Sequence, residues 1–339
     1  MQKTWQAFLQ ELGATIKDDG EINFNNPDPG LGNITETPLI SPLSGFALLA
    51  ISGNDRHSYL HGQFINDLNL IEKPAAQLSG WCNPKGQLIT NFLIINTGTS
   101  YLLMFKEDIK EFVQKRLSMF VMRSDVTIKD ISESSPMVGL ANSNDLSSLA
   151  PDIPTNPGAI LAIAGLIIIC LPDSSGRYLI IGSIEALINK LSELNNSLTM
   201  TDSSVWNLLD ILAGLGWITS TTKEKFLPQM LNLDALKGLS YQKGCYTGQE
   251  VIARLHYRGK VKKRLHLIKS KSQLLVGGHL NPEQSGNNVG TIINSAMHPD
   301  ECCYALAVIE MDNTHDKLFF DHQTNKKIKI IELPYVIDS

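Results

Sequence analysis

At 339 residues, 43% hydrophobic and 19% charged, the chain has the composition of an ordinary soluble globular protein, with length for two or three domains. A formal charge of −5 argues against a protein that coats nucleic acid over its whole surface, and no run of about 18 apolar residues suggests a membrane span. Five sparse cysteines with neither C-x-x-C nor Cys/His spacing, and an N-terminus without the marks of a signal peptide, point to a reducing cytoplasm and free thiols, with no metal ligands predicted.

In chain order, residues 1–20 read as a short amphipathic helix carrying Trp5, Phe8, Leu9 and Leu12, followed by a connector rich in Pro, Gly and Asn over 25–45. Phe46–Ser52 alternates as a strand. Asn54 or Asp55 caps a helix through Tyr59 and Leu60. Gly80–Gly86 reads as a tight loop leading into a hairpin formed by 87–95 and 100–105. The three- and four-residue spacing of Ile109, Phe112, Val113, Leu117, Phe120 and Val121 predicts a helix over 107–122, and 126–131 returns as a strand. Residues 141–158 read as a loop, 159–171 as a hairpin turning near Gly165, and 177–181 as a strand. Ser183 caps a helix to Leu194, and Ser203 or Ser204 opens another that stops at Gly214 or Gly216. Residues 219–236 look irregular. Beyond Arg264 the pattern is nearly all strand (264–269, 289–294, 303–310, 317–320, 327–332) and predicts a small antiparallel barrel.

The unusual chemistry gathers in residues 237–264, which hold eight Lys/Arg and the single acid Glu250; with the chain at −5, everything else sums to −12. Inside lies Lys243-Gly244-Cys245-Tyr246-Thr247-Gly248-Gln249-Glu250. A thiolate is the reactive form of cysteine, and nearby cations or a helix N-terminus favour it. Lys243 precedes Cys245 by two residues, and Thr247 or Gly248 is placed to open a helix. Gly244 and Gly248 allow backbone to approach a ligand closely. The bland alternative is an inert cysteine in a glycine-rich turn. Gln249 and Glu250 are suited to orient a ligand's amide or amine, or Glu250 pairs with Arg254 at i, i+4. Arg254, Arg258, Lys260, Lys262, Lys263 and Arg264, with His256 and Tyr257 among them, suit phosphates, a polyglutamate tail or single-stranded RNA, against the alternative of a solvated charged face. Trp206 reads as a core residue or as a stacking platform. Dinucleotide, P-loop, serine-hydrolase and zinc-protease signatures are missing.

Residues 243–250, continued by Val251-Ile252-Ala253-Arg254 and Tyr257-Arg258-Gly259, resemble the signature of the YgfZ-type folate-binding proteins. These are relatives of the glycine-cleavage T protein and of the mitochondrial assembly factor for iron–sulfur enzymes. Weaker matches run over about residues 40–312: Tyr59-Leu60-His61-Gly62-Gln63, Asn83-Pro84-Lys85-Gly86-Gln87, Phe226-Leu227-Pro228-Gln229 and Asn232-Leu233. The resemblance implies an α+β, T-protein-like three-part fold, with antiparallel sheets and helices around a central folate pocket and a C-terminal small β-barrel. The expected divisions are 1–45 (helix and connector), 46–140 and 141–263 (two α+β subdomains) and 264–339 (barrel). It also implies a folate-binding factor that supports iron–sulfur-dependent tRNA thiomethylation and is linked to replication initiation through ATP-bound DnaA. Such a factor is not an enzyme in the usual sense, and its partners are iron–sulfur tRNA-modifying or cluster-assembly proteins, with room for a weak tRNA contact. Of two family tryptophans associated with folate, one aligns with Trp206. The other aligns with Phe46, which keeps an aromatic face but loses the indole donor. The expected site is therefore Cys245 as functional thiol with Lys243, and Phe46, Trp206, Gly244, Tyr246, Gly248, Gln249, Glu250, Arg254 and Arg258 around folate. Two rival readings are a tetrahydrofolate-dependent aminomethyl transferase and a direct RNA-binding module using 254–264.

Overall fold

The computed structural model describes all residues except 19, 25–33, 35, 143–148, 151, 174–175, 195–198, 284–286, 316, 322 and 338–339. Parts of the expected connector at 25–45 and loop at 141–158 thus lie outside the described residues. Six α-helices are described: α1 (Lys3–Glu11), α2 (Arg56–Gln63), α3 (Lys110–Val121), α4 (Ile184–Leu194), α5 (Ser203–Leu212) and α6 (Gln249–Arg258). The chain forms two compact units from interleaved pieces. One holds Met1–Arg56, Ile71–Gln77 and Leu93–Trp206; the other holds His57–Leu70, Leu78–Phe92 and Asn207–Ser339.

In the first unit a six-stranded sheet runs in the order Ile160–Ile163, Leu166–Cys170, Tyr178–Gly182, Met137–Ala141, Leu39–Pro42, Thr199–Met200. Every pair is antiparallel except the last. Helices α1 and α4 cover one face. Trp5, Phe8 and Leu9 from α1 and Leu187, Leu191 and Leu194 from α4 pack with Ile40, Val138, Leu140, Ile168 and Ile180. Helix α4 starts where expected, because the Ser183 hydroxyl accepts the Ala186 N–H at 3.2 Å and satisfies one of the unpaired donors of the first turn. The 159–171 hairpin turns through Ala164 and Gly165, both at positive φ (51° and 79°), which matches the twist of its two strands. In a second sheet Phe46–Ser52 lies between Tyr101–Lys106 and Thr127–Asp130.

Several strands depart from the sequence pattern: Thr15–Ile16 falls inside the expected 1–20 helix, which ends at Glu11, and three longer strands were not expected. Leu39–Pro42 lies inside the expected connector. Met137–Ala141 was hidden by Gly139, and Ala75–Cys82 by Gly80 and its polar neighbours. The glycines have packing causes. A β-carbon on Gly139 would stand 2.3 Å from the Trp206 ring, and one on Gly80 2.6 Å from Leu88 Cδ2. The strand Ala75–Cys82 confines the expected 80–86 loop to a turn at 83–86.

In the second unit six antiparallel strands close a barrel in the order Lys263–Ser270, Cys303–Glu310, Gly290–Met297, His279–Pro282, Leu318–Phe320, Gln323–Ile331. His279–Pro282 is a further strand, outside the expected ones and ending in Asn281-Pro282; its short ladder pairs on both sides. The period-2 alternation of Cys303–Glu310 divides two cores: Ala305, Ala307 and Ile309 pack with Ile292, Leu280 and Phe320, whereas Leu306 and Val308 pack with Leu265, Ile252 and Phe226. The second core sets α6 against the barrel. Helix α5 ends as expected near Gly214 (φ 71°), with Leu215 N–H bonding the Asp210 carbonyl across the turn.

Substituting Gly139 by alanine forces a β-carbon into the buried Trp206 ring, and overpacking of this kind costs roughly 1–3 kcal/mol. A drop in the denaturant midpoint with unchanged slope is the expected result.

Candidate functional site

The second unit draws four separated stretches of the sequence around α6. The first contact is backbone on backbone. Asn83 builds a tight turn: its side-chain oxygen accepts the N–H groups of Lys85 (2.9 Å) and Gln87 (3.1 Å), and its carbonyl accepts that of Gly86 (2.9 Å). Gly248, the residue before α6, lies directly against this turn. A β-carbon on Gly248 would be 2.5 Å from the Asn83 carbonyl oxygen and 2.8 Å from Gly86 Cα. One on Gly86 would meet Val251 and Ile252 at 3.2 and 3.3 Å. Both glycines have positive φ (86° and 73°), so position 248 requires glycine on two independent counts.

Two side chains tie the other end of the loop. Gln229, fully buried, donates from Nε2 to the Ile252 carbonyl at 2.9 Å, inside the first turn of α6. Gln249 Nε2 reaches back to the Lys243 carbonyl at 3.3 Å and closes the 243–249 loop on itself.

Lys243 is 7% exposed, and its ammonium donates to the carbonyls of His61 and Phe64, the unpaired acceptors at the C-terminal end of α2. Its Nζ also lies 5.1 Å from the centre of the Tyr246 ring. Burial pushes its pKa down to about 8, against a weaker upward pull from Asp67. His61 is lowered as well, first by burial and then by Lys243, which keeps it neutral near pH 7. Tyr246 is itself buried, and burial raises its phenol, so the ring stays protonated.

Between these buried anchors the loop turns outward. Cys245 is exposed, and apart from the chain neighbours of Gly244 no atom of the described residues lies within 4 Å of where its β-carbon would stand. Cys82, Cys170 and Cys303 are buried, with burial raising each thiol; Cys302 is half-buried, so Cys245 is the exposed cysteine of the five. Glu250 and Arg254 are exposed, and no ion pair joins them among the described residues. Arg258 is exposed at the last position of α6. Two of the six clustered cations are committed elsewhere. Arg264 pairs with Asp234 at 2.7 Å and donates to the Gln229 carbonyl, while Lys263 meets Glu310 at 3.1 Å.

Phe46 and Trp206 belong to the first unit. Phe46 is 5% exposed, with Lys106 Nζ 3.9 Å from its ring centre. It lines a recess of about 210 Å³ together with Trp5, Leu43, Glu107 and Lys110. Glu107 Oε1 pairs with Lys110 at 2.7 Å, whereas its Oε2 is buried without a hydrogen-bond partner among the described residues. Trp206 is 2% exposed; Gly139 lies against its ring and the Arg177 guanidinium lies 4.7 Å from it, held by Asp173 at 2.8 Å.

The structure thus brings Lys243, Gly244, Cys245, Tyr246, Gly248, Gln249, Glu250, Arg254 and Arg258 into one loop and helix. Sequence reasoning placed Asn83 and Gln229 only within weaker family matches, without a role of their own, and did not single out Glu107 or Tyr241. The signal for the first two was present as polar residues next to prolines, Asn83-Pro84 and Pro228-Gln229, where a local backbone partner is removed.

No family model matches the chain. Among curated proteins it is similar to the tRNA-modifying protein YgfZ of Colwellia psychrerythraea, 31% identical, covering 91% of this chain and 96% of that protein. It is likewise similar to the tRNA-modifying protein YgfZ of Photobacterium profundum, 29% identical over 87% of this chain and 91% of that one. Among solved structures, the glycine cleavage system aminomethyltransferase T from Bartonella henselae shares the fold, with a TM-score of 0.76 at 13% identity, covering 98% of this chain and 97% of that one.

Two outcomes test the loop. Gly248→Ala combines a clash with left-handed strain and loses roughly 1–3 kcal/mol or more, whereas Gly244→Ala, in open space, stays within about 0.5 kcal/mol of wild type; paired urea titrations read the contrast. Lys243 makes stability depend on pH. Below pH 8 the folded and unfolded chains both carry its proton. Between about 8 and its ordinary 10.5 the unfolded chain holds a proton that the folded chain has lost. Stability therefore rises with pH in that window, and the wild-type minus Lys243→Met difference rises with it. A flat difference contradicts the burial of the charge.

Proposed function

Because the chain belongs to the family of tRNA-modifying YgfZ proteins, we propose that it is a folate-binding factor supporting iron–sulfur-dependent tRNA modification, with Cys245 as its functional thiol. The observation that carries this reading is the placement of Cys245: the exposed cysteine of the five stands on a loop whose two ends are anchored in the core by Lys243 and Gly248. Stability alone does not call for that arrangement. Anchored ends hold a thiol in one position, and an open flank lets a macromolecular or sulfur-carrying partner reach it. Redox protection and sulfur handling both use that position.

The residues beside Phe46 fit a pterin. The recess has an aromatic wall, and Glu107, which lines it, has a buried carboxylate oxygen without a donor among the described residues. A pterin is flat and carries ring and amino N–H groups, so it offers both the face and the donor. In this reading Phe46 and Glu107 hold the heterocycle, and Trp206, with its ring occupied by Gly139 and Arg177, braces the sheet behind it. The shared fold with aminomethyltransferase T supports folate as the ligand class and does not transfer its reaction.

Cys245→Ser is expected to fold normally and to lower thiomethylated tRNA, measured by mass spectrometry in cells at equal protein level. Full modification in that strain overturns the thiol's role. Phe46→Ala is expected to weaken tetrahydrofolate binding by roughly three- to tenfold, the usual worth of one aromatic contact. Unchanged affinity by calorimetry removes the recess from the folate site.

A further inference from the structure

The C-terminal half of α6 carries a second surface, separate from the thiol. His256 stacks on Tyr241 with ring centres 3.7 Å apart and planes 9° from parallel. Tyr257 meets both edge-on, at 4.7 Å from His256 and 6.4 Å from Tyr241. Tyr241 is half-buried against the barrel-side core, and burial pushes its phenol up to about 12, so this ring is a neutral, fixed base for the group. The outer members are open: His256 is exposed and Tyr257 is 66% exposed. A tyrosine so exposed buries little apolar area for the fold, so core packing does not account for it.

Cations flank these rings. Arg254 and Arg258 stand one helical turn apart, with Tyr257 three residues after the first and next to the second, so all three share one exposed side of the helix. Lys260 and Lys262 follow on the exposed segment that leaves α6. Arg254, Arg258, Lys260 and Lys262 form no ion pair among the described residues, in contrast to Lys263 and Arg264. Glu250, near the other end of α6, is the helix's one carboxylate. The result is an electropositive strip with a rigid aromatic platform in its middle, in a chain whose remainder is acidic.

We propose that this strip docks an unpaired segment of RNA, with a base stacked on Tyr257 and adjacent phosphates on Arg254 and Arg258. Three features select that occupant. An anionic protein surface would use the cations but leave the open ring without a partner. A membrane surface would call for a broad apolar face of Leu, Phe or Trp to insert beside the cations, and the exposed end of α6 offers His, Tyr and Arg instead. A duplex keeps its base faces covered, whereas a single strand presents a face to stack and a phosphate on each side of it. The choice of RNA over DNA rests on the proposed role in tRNA modification; the surface itself does not involve Cys245.

The test is fluorescence anisotropy with the full chain and a labelled RNA hairpin bearing an unpaired loop, set against the same stem as a blunt duplex. Wild type is expected to prefer the looped RNA and to lose affinity between about 50 and 200 mM salt, with a slope near −0.7 for each phosphate contacted. Tyr257→Ala is expected to weaken looped-RNA binding by roughly tenfold or more, one stacked base, at unchanged salt slope. Arg254→Gln with Arg258→Gln is expected to flatten the slope by about 1.4, two phosphate contacts. Both variants alter exposed side chains, and circular dichroism confirms their folding. Cys245→Ser is expected to bind RNA as wild type does while failing in modification, which separates this surface from the thiol's role. No binding at low salt, equal binding of loop and duplex, indifference to Tyr257→Ala, or a stronger response to anionic vesicles each overturns the proposal.

Discussion

The approach of Gly248 to the Asn83–Gly86 turn is the constraint on which the loop and helix depend. Two stretches far apart in sequence meet there backbone to backbone; a β-carbon on Gly248 would overlap the turn, and one on Gly86 would crowd Val251 and Ile252. Side-chain contacts can slide or repack over a few ångströms, but a backbone contact with both φ values in the left-handed region has few neighbouring solutions. It fixes where α6 begins. From that start follow the turn at which Gln229 meets the helix, the side of the helix on which Ile252 enters the core, and the direction in which Arg254, Tyr257 and Arg258 face.

Lys243 complements that contact with a different force. Its ammonium replaces the hydrogen bonds that the last carbonyls of α2 lack, at the cost of burying a charge. The loop between Lys243 and Gly248 is thus fixed at both ends by groups that a point substitution cannot imitate, while Gly244 and Cys245 bear none of that burden. Anchoring residues and chemistry-bearing residues alternate within eight positions. That explains why the stretch looks over-specified when read as a single purpose.

Much of this was legible in the sequence. The closed barrel, the hairpin at Gly165, the Ser183 cap and the start of α6 at Gly248 all follow from local rules that tertiary contacts do not override. The missed strands share a cause. Glycines inside Met137–Ala141 and Ala75–Cys82 look like turns locally and answer to partners far along the chain, Trp206 and Leu88 with Ile65. The cationic run was legible as a patch, but its division was not. Only strand register tells that Lys263 faces Glu310 and Arg264 reaches Asp234, leaving four cations to solvent. The stack of Tyr241 on His256, 15 residues apart across a glycine-rich loop, has no local signal at all.

The hydrogen bonds from Lys243 span 182 residues to His61 and 179 to Phe64. During synthesis at about 5–20 residues per second, the end of α2 and the Asn83 turn therefore emerge roughly 10–40 s before the segment that completes them. For that interval a nascent chain displays carbonyls and a backbone groove without their occupants. The thiol loop takes its place only after these partners have been made, so a ribosome stalled in the middle of the chain holds a half-built receptor for a peptide it has not yet made.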